Sequence, residues 1–325
     1  MYDLIIIGGG PAGITAGIYA IRKKLKTLLI TKDFFSQITK TSQIDNWPGD
    51  MAINGMALAL KLEKHLKEFP VEIKNGQKVV SIKEVAEQLP CSGSCRATSS
   101  TSLFSGAFFR VQTENNEEFE TKSIIVATGR NAKTLGIEGE QDFVGKGLSY
   151  CSICDAPFFK DKQVGVIGGG NAGLETALDL AKYAKKVIVF EQGESILADE
   201  ILQDQIKATG KVEITFNAQI VKIEGQGRVQ SIVYKNLKEN KVLQQPMDGI
   251  FVQIGSVPAT GFLGNLVKFN NQNEIIVDNE TFVSSVNGIF AVGDCNNTKW
   301  KQAIVASGQG AVGALSVYEF LQNKE

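Results

Sequence analysis

Apolar residues fall in two kinds of run along this chain. The stretches 4–7, 27–31, 164–167 and 187–191 are short, rich in Ile, Val and Leu, and almost unbroken by polar residues. Continuous runs of that length predict strands buried on both faces, as in a parallel sheet. Between the first two lies a segment with apolar or small residues at Ile14, Gly17, Ile18 and Ile21, and between the last two one with Leu174, Ala177, Leu178 and Ala181. That i, i+3, i+4, i+7 spacing predicts amphipathic helices with those positions inward. Strand, helix and strand therefore occur twice, as two βαβ units.

The two units are copies. Residues 8–31 (GGGPAGITAGIYAIRKKLKTLLIT) align without a gap on 168–191 (GGGNAGLETALDLAKYAKKVIVFE), at an offset of 160. Gly8 and Gly168 are placed to make the tight turn out of the strand. Gly10 and Gly170 let a pyrophosphate approach the backbone, and Gly13 and Gly173 let the helix pack close to the sheet. The helix N-terminus adds free N–H groups and the positive dipole end. One such motif also arises for purely structural reasons; two in register predict two dinucleotides exchanging electrons. Further buried strands at 123–129, 249–255 and 288–294 imply nesting: a first domain of 1–132 and 249–325, interrupted by a second at 133–248, with linkers near 131–133 and 245–248. The predicted class is α/β, two nested Rossmann-like dinucleotide-binding domains. From Thr298 onward a helix is expected to pack back on the first domain, approached closely at Ala303, Val305, Ala306 and Ala311.

Composition narrows the function. The 325 residues are 43% hydrophobic and 21% charged, with a formal charge of −1. No basic run offers footing for nucleic acid, and no stretch reaches the roughly 18 apolar residues of a membrane span. The chain enters a strand at once, without a leader pattern, so a cytoplasmic setting is expected. There, five cysteines point to catalysis or regulation, not to a disulfide framework.

The combination GGGPAG at 8–13, IDNWPG at 44–49, ATG at 127–129, CSICD at 151–155, GGGNAGLE at 168–175, FAVGDC at 290–295 and KQAIVASGQGAVGA at 301–314 resembles bacterial thioredoxin reductase. The C-terminal half is more similar still to the reductase domain of the alkyl hydroperoxide reductase flavoprotein subunit. The resemblance implies FAD in the first domain, on Gly8, Gly10, Pro11, Ala12, Gly13, Ala127, Thr128, Gly129 and Gly293. It implies Gln37 and Asn46 near the flavin, Asp294 on the ribityl chain, and Gln302 and Ala303 at the pyrimidine end. Thr31 and Lys32, followed by Asp33, fill the slot that faces the adenosine ribose. The nicotinamide nucleotide falls on Gly168, Gly170, Asn171, Ala172 and Gly173. A homodimer and a thioredoxin or thioredoxin-like protein disulfide as acceptor are implied as well. Two departures stand out: Phe35-Ser36 precede Gln37 where the family has two glycines, and Ala156 replaces a glycine.

Cysteines two residues apart, as Cys151 and Cys154, form a disulfide that opens with little rearrangement, and a nearby helix N-terminus favours one thiolate. The alternatives are half a zinc site, which Cys91 and Cys95 would have to complete, or two inert thiols. The resemblance places Cys154 against the flavin and makes Cys151 the exchange thiolate. Asp155 is the candidate proton donor, because the only histidine, His65, lies in a predicted helix facing solvent. The Ser/Thr/Gly-rich stretch 86–108 reads as a loop, with a relay through Cys91 and Cys95 as the minority alternative. Glu191, 23 residues past Gly168, occupies the position that meets the nucleotide ribose, and no Lys or Arg occurs between Val187 and Leu202. A carboxylate there favours NADH over NADPH. Rival readings remain: a flavin reduced by ferredoxin without nicotinamide, a ferredoxin–NAD(P) reductase, and a flavin-binding regulator without turnover.

Overall fold

The computed structural model describes residues 1–35, 37–40, 44, 46–85 and 108–323, the side chains of Lys40, Ile153 and Cys154 excepted. The predicted loop with Cys91 and Cys95 lies outside the described residues. Two compact units emerge, one of residues 1–130 and 258–325 and one of residues 131–257. The chain passes between them twice, through the short strands Arg130–Ala132 and Ser256–Pro258, which pair with each other.

In the first unit the strand Tyr2–Ile7 lies at the centre of a seven-stranded sheet, paired in parallel with Thr27–Thr31 on one side and Glu118–Val126 on the other. Both faces are covered, which is why Leu4 to Ile7, Leu28 to Ile30 and Ile124 to Val126 are almost wholly buried. Glu72–Asn75 closes one edge, Phe108–Thr113 and Val79–Val85 add an antiparallel flank, and Ile289–Ala291 joins Glu118–Val126 in parallel.

The helices Pro11–Arg22 and Ala303–Gln322 pack on each other so closely that a Cβ on Gly310 would sit 2.1 Å from the Ala12 carbonyl oxygen. Bulky residues hold helix axes about 8–10 Å apart, so such contact needs small ones. This changes which residues are inside. Ala16 and Ala20 are buried, while Ile18 and Ile21, expected inward, are half-buried. Gly310 makes the close approach from the C-terminal helix, Gly313 faces Val292 on the sheet side, and Ala306 and Ala314 are buried; Ala303, Val305 and Ala311 are only half-buried. That helix is long and apolar enough to cross a membrane by length and composition, but its buried stripe is part of this unit's core.

The second unit repeats the plan. Gln163–Ile167 pairs in parallel with Lys186–Phe190 and Gly249–Val252, and Val212–Thr215 and Leu148–Ser149 extend the sheet to five strands. The helix Asn171–Ala181 buries Leu174, Ala177, Leu180 and Ala181, with Leu178 at the margin. A three-stranded antiparallel sheet, Ala218–Gly225, Val229–Asn236 and Lys241–Pro246, is added to it. The architecture is α/β with two nested Rossmann-like units.

Candidate active site

The two glycine loops have nearly superimposable local geometry. Gly8 and Gly168 have φ of +117° and +113°, and a Cβ on either would lie 2.3 Å from a carbonyl oxygen, Ala127 or Gln253, at the end of the neighbouring strand. Gly13 and Gly173 would each place a Cβ 1.9 Å from the carbonyl oxygen of Gly8 or Gly168. No side chain fits at these four positions. The two helices start at Gly10 and Gly170 without a side-chain cap, so the first-turn N–H groups are left for an anion. A Cβ on Gly170 would meet nothing within 4 Å; the space above that loop is open.

Around the first loop the structure gathers the remaining residues assigned to FAD. The Thr128 hydroxyl is buried without a hydrogen-bond partner. Asp294 is largely buried and accepts no hydrogen bond from a described side chain; burial raises its carboxyl above the usual range, and Lys301 and Arg130 pull it only partly back. Buried polar groups without partners are expensive, and a dinucleotide with a hydroxylated ribityl chain and a pyrophosphate would satisfy them. Gly293 (φ +76°) donates its N–H to Gln309 Oε1 at 2.7 Å. Asn46 Nδ2 donates to Gln302 Oε1 at 3.1 Å and Gln37 Nε2 to the Arg130 carbonyl at 2.8 Å, which brings together positions far apart in sequence. Thr31 Oγ1 bonds the Asp33 carbonyl at 2.6 Å, Asp33 Oδ1 takes the Phe35 N–H, and Lys32 is exposed.

A charge network beside Asp294 had no signal in the sequence. Glu274, 8% exposed, accepts from Arg130 Nη1 at 2.9 Å, from Lys301 Nζ at 3.1 Å and from Asn270 Nδ2 at 2.8 Å. Burial would raise its carboxyl, but the hydrogen bonds from Asn270 and Lys301 and the charges of Lys301 and Arg130 outweigh it and hold the group low. Arg130 and Glu274 are 144 residues apart.

At the second loop Glu191 is folded over the glycines. Its Oε2 accepts the Gly169 N–H and its Oε1 the Gly193 N–H, both at 2.7 Å. Asn171 and Asp199 exchange two further bonds, of 2.9 and 2.8 Å, and Ala172 is exposed. Desolvation, then Asp179 and Asp199, push the Glu175 carboxyl up, although much of that side chain faces solvent.

The cysteine turn lies in the same unit. Cys151 immediately precedes the one-turn helix Ser152–Asp155 and is disulfide-bonded; the side chain of Cys154 is outside the described residues. The backbone around Cys151 is held from both sides. Its N–H donates to Ser149 Oγ at 3.0 Å. Before it, the Tyr150 hydroxyl donates to Glu140 Oε1 at 2.6 Å, and Glu140 also takes the Leu135 and Gly136 N–H groups. After it, Ser152 Oγ donates to Asp179 Oδ2 at 3.1 Å. Burial and the Glu140 carboxylate push the Tyr150 phenol well up. These clamps could not be read from the sequence. Asp155 lines a cleft next to this turn. Cys295 is a free, buried thiol pushed up to about 11 by burial, and His65 is exposed on its helix. Among the described residues no three His, Cys, Asp or Glu side chains form a metal-ligand cluster.

Paired dinucleotide cradles and a disulfide-held cysteine beside the second define a class: oxidoreductases that join a nicotinamide, a flavin and a thiol pair. Residues 2–310 match the pyridine nucleotide-disulphide oxidoreductase family, and the chain belongs to that family. It is 35% identical over 320 residues to the NADH dehydrogenase of Bacillus subtilis, and 35% identical over 321 residues to an alkyl hydroperoxide reductase component of Escherichia coli; each alignment covers 98% of this chain and 58% of the relative. The chain thus spans under two thirds of these curated relatives. Among solved structures, the thioredoxin reductase of Lactococcus lactis is 33% identical with a TM-score of 0.88, over 99% of this chain and all of the other. The chain is thus similar in fold to thioredoxin reductases, and its family implies a flavin and a nicotinamide cofactor.

Proposed function

We propose that the protein is a cytoplasmic NADH-dependent disulfide reductase, active as a homodimer, that delivers electrons through FAD and the Cys151–Cys154 pair to a thioredoxin-like protein. One observation carries the reading: two glycine cradles of matching geometry share a chain with a disulfide-held Cys151 whose backbone is clamped on both sides. The first cradle, with Thr128 and Asp294, holds FAD; the second, with Glu191, holds the nicotinamide nucleotide. FAD held there would supply the two-electron chemistry that links a hydride donor to a disulfide.

The chain's own groups do the rest. The first-turn N–H groups of the helices at Gly10 and Gly170 bind the pyrophosphates. The clamps through Tyr150 and Ser152 fix the main chain of Cys151 while its sulfur exchanges partners. When the disulfide opens, Cys151 leaves as a thiolate and Asp155 supplies its proton; Cys154 is the sulfur facing the electron source. Glu191 favours NADH because its carboxylate would repel a 2′-phosphate, and because its remaining lone pairs can accept from a ribose hydroxyl.

Single variants Cys151→Ser and Cys154→Ser test this. Both should reduce disulfide turnover to background and leave flavin bleaching by NADH within about twofold of wild type, a barrier change of about 0.4 kcal/mol. Slow bleaching in both variants would refute the division of labour between the cradles and the thiol pair.

A further inference from the structure

The helix Asn171–Ala181 begins on the second glycine loop, where no side chain caps it. Its last turn carries Asp179, eight positions after Asn171 and so about 12 Å further along the axis. Asn171, Glu175 and Asp179 recur every four residues, which puts them on one side of three consecutive turns. Leu174, Ala177, Leu180 and Ala181 are buried on the other side. A polar stripe therefore runs from the glycine loop to the far end of the helix.

A carboxylate in the last turn of a helix is repelled by the negative end of its dipole, so Asp179 needs partners to be held there. Its Oδ1 accepts from Lys182 Nζ at 2.9 Å and its Oδ2 from Ser152 Oγ at 3.1 Å, and the side chain is 13% exposed. Ser152 is buried and stands between the two cysteines of Cys151-Ser152-Ile153-Cys154, opening the one-turn helix Ser152–Asp155. At the other end of the stripe Asn171 and Asp199 exchange two hydrogen bonds. Between the ends, the Glu175 carboxyl is pushed up by desolvation and then by the charges of Asp179 and Asp199, so a group in the middle of the stripe senses both. The helix is held firmly along its length. Gly173 is seated against the Gly168 carbonyl, and Lys211 Nζ donates to the Ala181 carbonyl at 2.9 Å.

We propose that Asp179 is a positioning residue that couples the cysteine pair to the nucleotide loop. The inference rests on the disulfide-reductase reading above, with the nucleotide on the second loop, and adds how the two places communicate. The Ser152–Asp179 bond accompanies the disulfide-bonded form of Cys151. Reduction turns the S–S bond into two thiols, with two electrons supplied by the nicotinamide donor and two protons, and frees the turn between them. Ser152 then loosens its hold on Asp179, and the helix that meets the nucleotide loses part of its restraint. Spent nucleotide is released more readily once its electrons have reached the pair. Linkage makes the effect reciprocal: bound nucleotide stabilises the disulfide by the same factor that reduction costs the nucleotide.

The test uses the FAD-loaded enzyme and ADP-ribose, which carries the pyrophosphate and ribose but no nicotinamide and so exchanges no electrons. The pair is equilibrated with glutathione, two thiols of which reduce the disulfide and leave as glutathione disulfide. The reduced fraction is read by thiol tagging of the peptide that carries Cys151 and Cys154. Saturating ADP-ribose should shift this equilibrium about fivefold towards the disulfide in wild type, or about 20 mV. Asp179→Asn keeps an oxygen for Ser152 and should retain the shift within about twofold, whereas Ser152→Ala and Asp179→Ala should each reduce it to under about 1.5-fold. A purely structural Asp179 would alter stability in these variants and leave the ligand-induced shift in place. No shift in wild type, or a shift that survives in both alanine variants, would overturn the coupling alone. Failure of ADP-ribose to slow flavin bleaching by NADH would instead overturn the placing of the nucleotide on the second loop.

Discussion

The two βαβ units share a cradle and differ in how it is finished. At Gly8 and Gly168 an added Cβ meets its nearest carbonyl oxygen at the same 2.3 Å, and at Gly13 and Gly173 at the same 1.9 Å. At the strand ends they diverge. In the first unit Thr31 occupies the place above Gly9, neutral and committed to its own turn. In the second, Glu191 occupies the same place above Gly169. The first loop is backed by a buried network, Asp294 with Lys301, Arg130 and Glu274; the second opens to space at Gly170. On the proposed function, one backbone solution would serve both a resident cofactor, met by the charged network, and an exchanging nucleotide, met by an open loop and the Glu191 carboxylate.

The sharpest way to break the comparison is to fill the shared position. Gly13→Ala and Gly173→Ala each force a methyl group to within 1.9 Å of a carbonyl oxygen, so the helix must shift off its loop at a cost of about 3 kcal/mol. Gly13→Ala should be purified without FAD. Gly173→Ala should keep FAD but lose roughly 100-fold in kcat/KM for flavin bleaching by NADH. Full retention of flavin by Gly13→Ala, read from its visible absorbance, would show that the first cradle is not its site.

What could be read from the sequence follows the same local-versus-distant divide. The cradles were legible because the glycines, the helix start and both flanking strands of each lie within about two dozen residues, and glycine has so few reasons to recur at such spacing. Glu191 was legible for the same reason. The buried stripe of the first helix was legible only in part. Periodicity marks its apolar face, but the approach of Gly310 to Ala12 turns Ala16 and Ala20 inward, and the partner helix lies some 290 residues away. Arg130 with Glu274, Tyr150 with Glu140 and Ser152 with Asp179 are single pairs of ordinary polar residues. Nothing in their spacing separates them from solvated side chains.

The buried network gives the next prediction. Replacing Glu274 by Gln removes the carboxylate that Arg130 and Lys301, 16% and 23% exposed, both contact directly. Allowing for that partial exposure, the loss is about 2–3 kcal/mol of stability at neutral pH. The folded-state carboxyl is held below its unfolded value, so its contribution is complete above the usual glutamate range and is lost as pH falls through the lowered value. The gap between wild type and Glu274→Gln in urea midpoints should therefore be full at pH 7 and close below about pH 4. A pH-independent gap would mean the network contributes by packing alone. No change to the matching stability of the second unit is expected, because it contains none of these residues.

The smallest effect, and the one that separates the two strand ends most cleanly, concerns Glu191. Its carboxylate does two jobs: it holds the Gly169 and Gly193 N–H groups, and its charge faces the ribose side of the proposed nucleotide. A direct change to Arg removes both at once, loosening the loop as it removes the repulsion. Glu191→Gln keeps one acceptor oxygen for the loop and deletes only the charge. At an effective dielectric of about 20 a close like-charge contact costs a few kcal/mol, and solvent access at a half-exposed side chain reduces that to about 1.5 kcal/mol. Wild type should then prefer NADH over NADPH by roughly tenfold in kcat/KM for flavin bleaching. Glu191→Gln should bring the two within about threefold, mainly by improving NADPH. Glu191→Arg should favour NADPH but lose activity with both, because Gly169 is no longer held. An unchanged ratio in the Gln variant would assign Glu191 to loop geometry alone and move nucleotide choice to another residue of the second cradle.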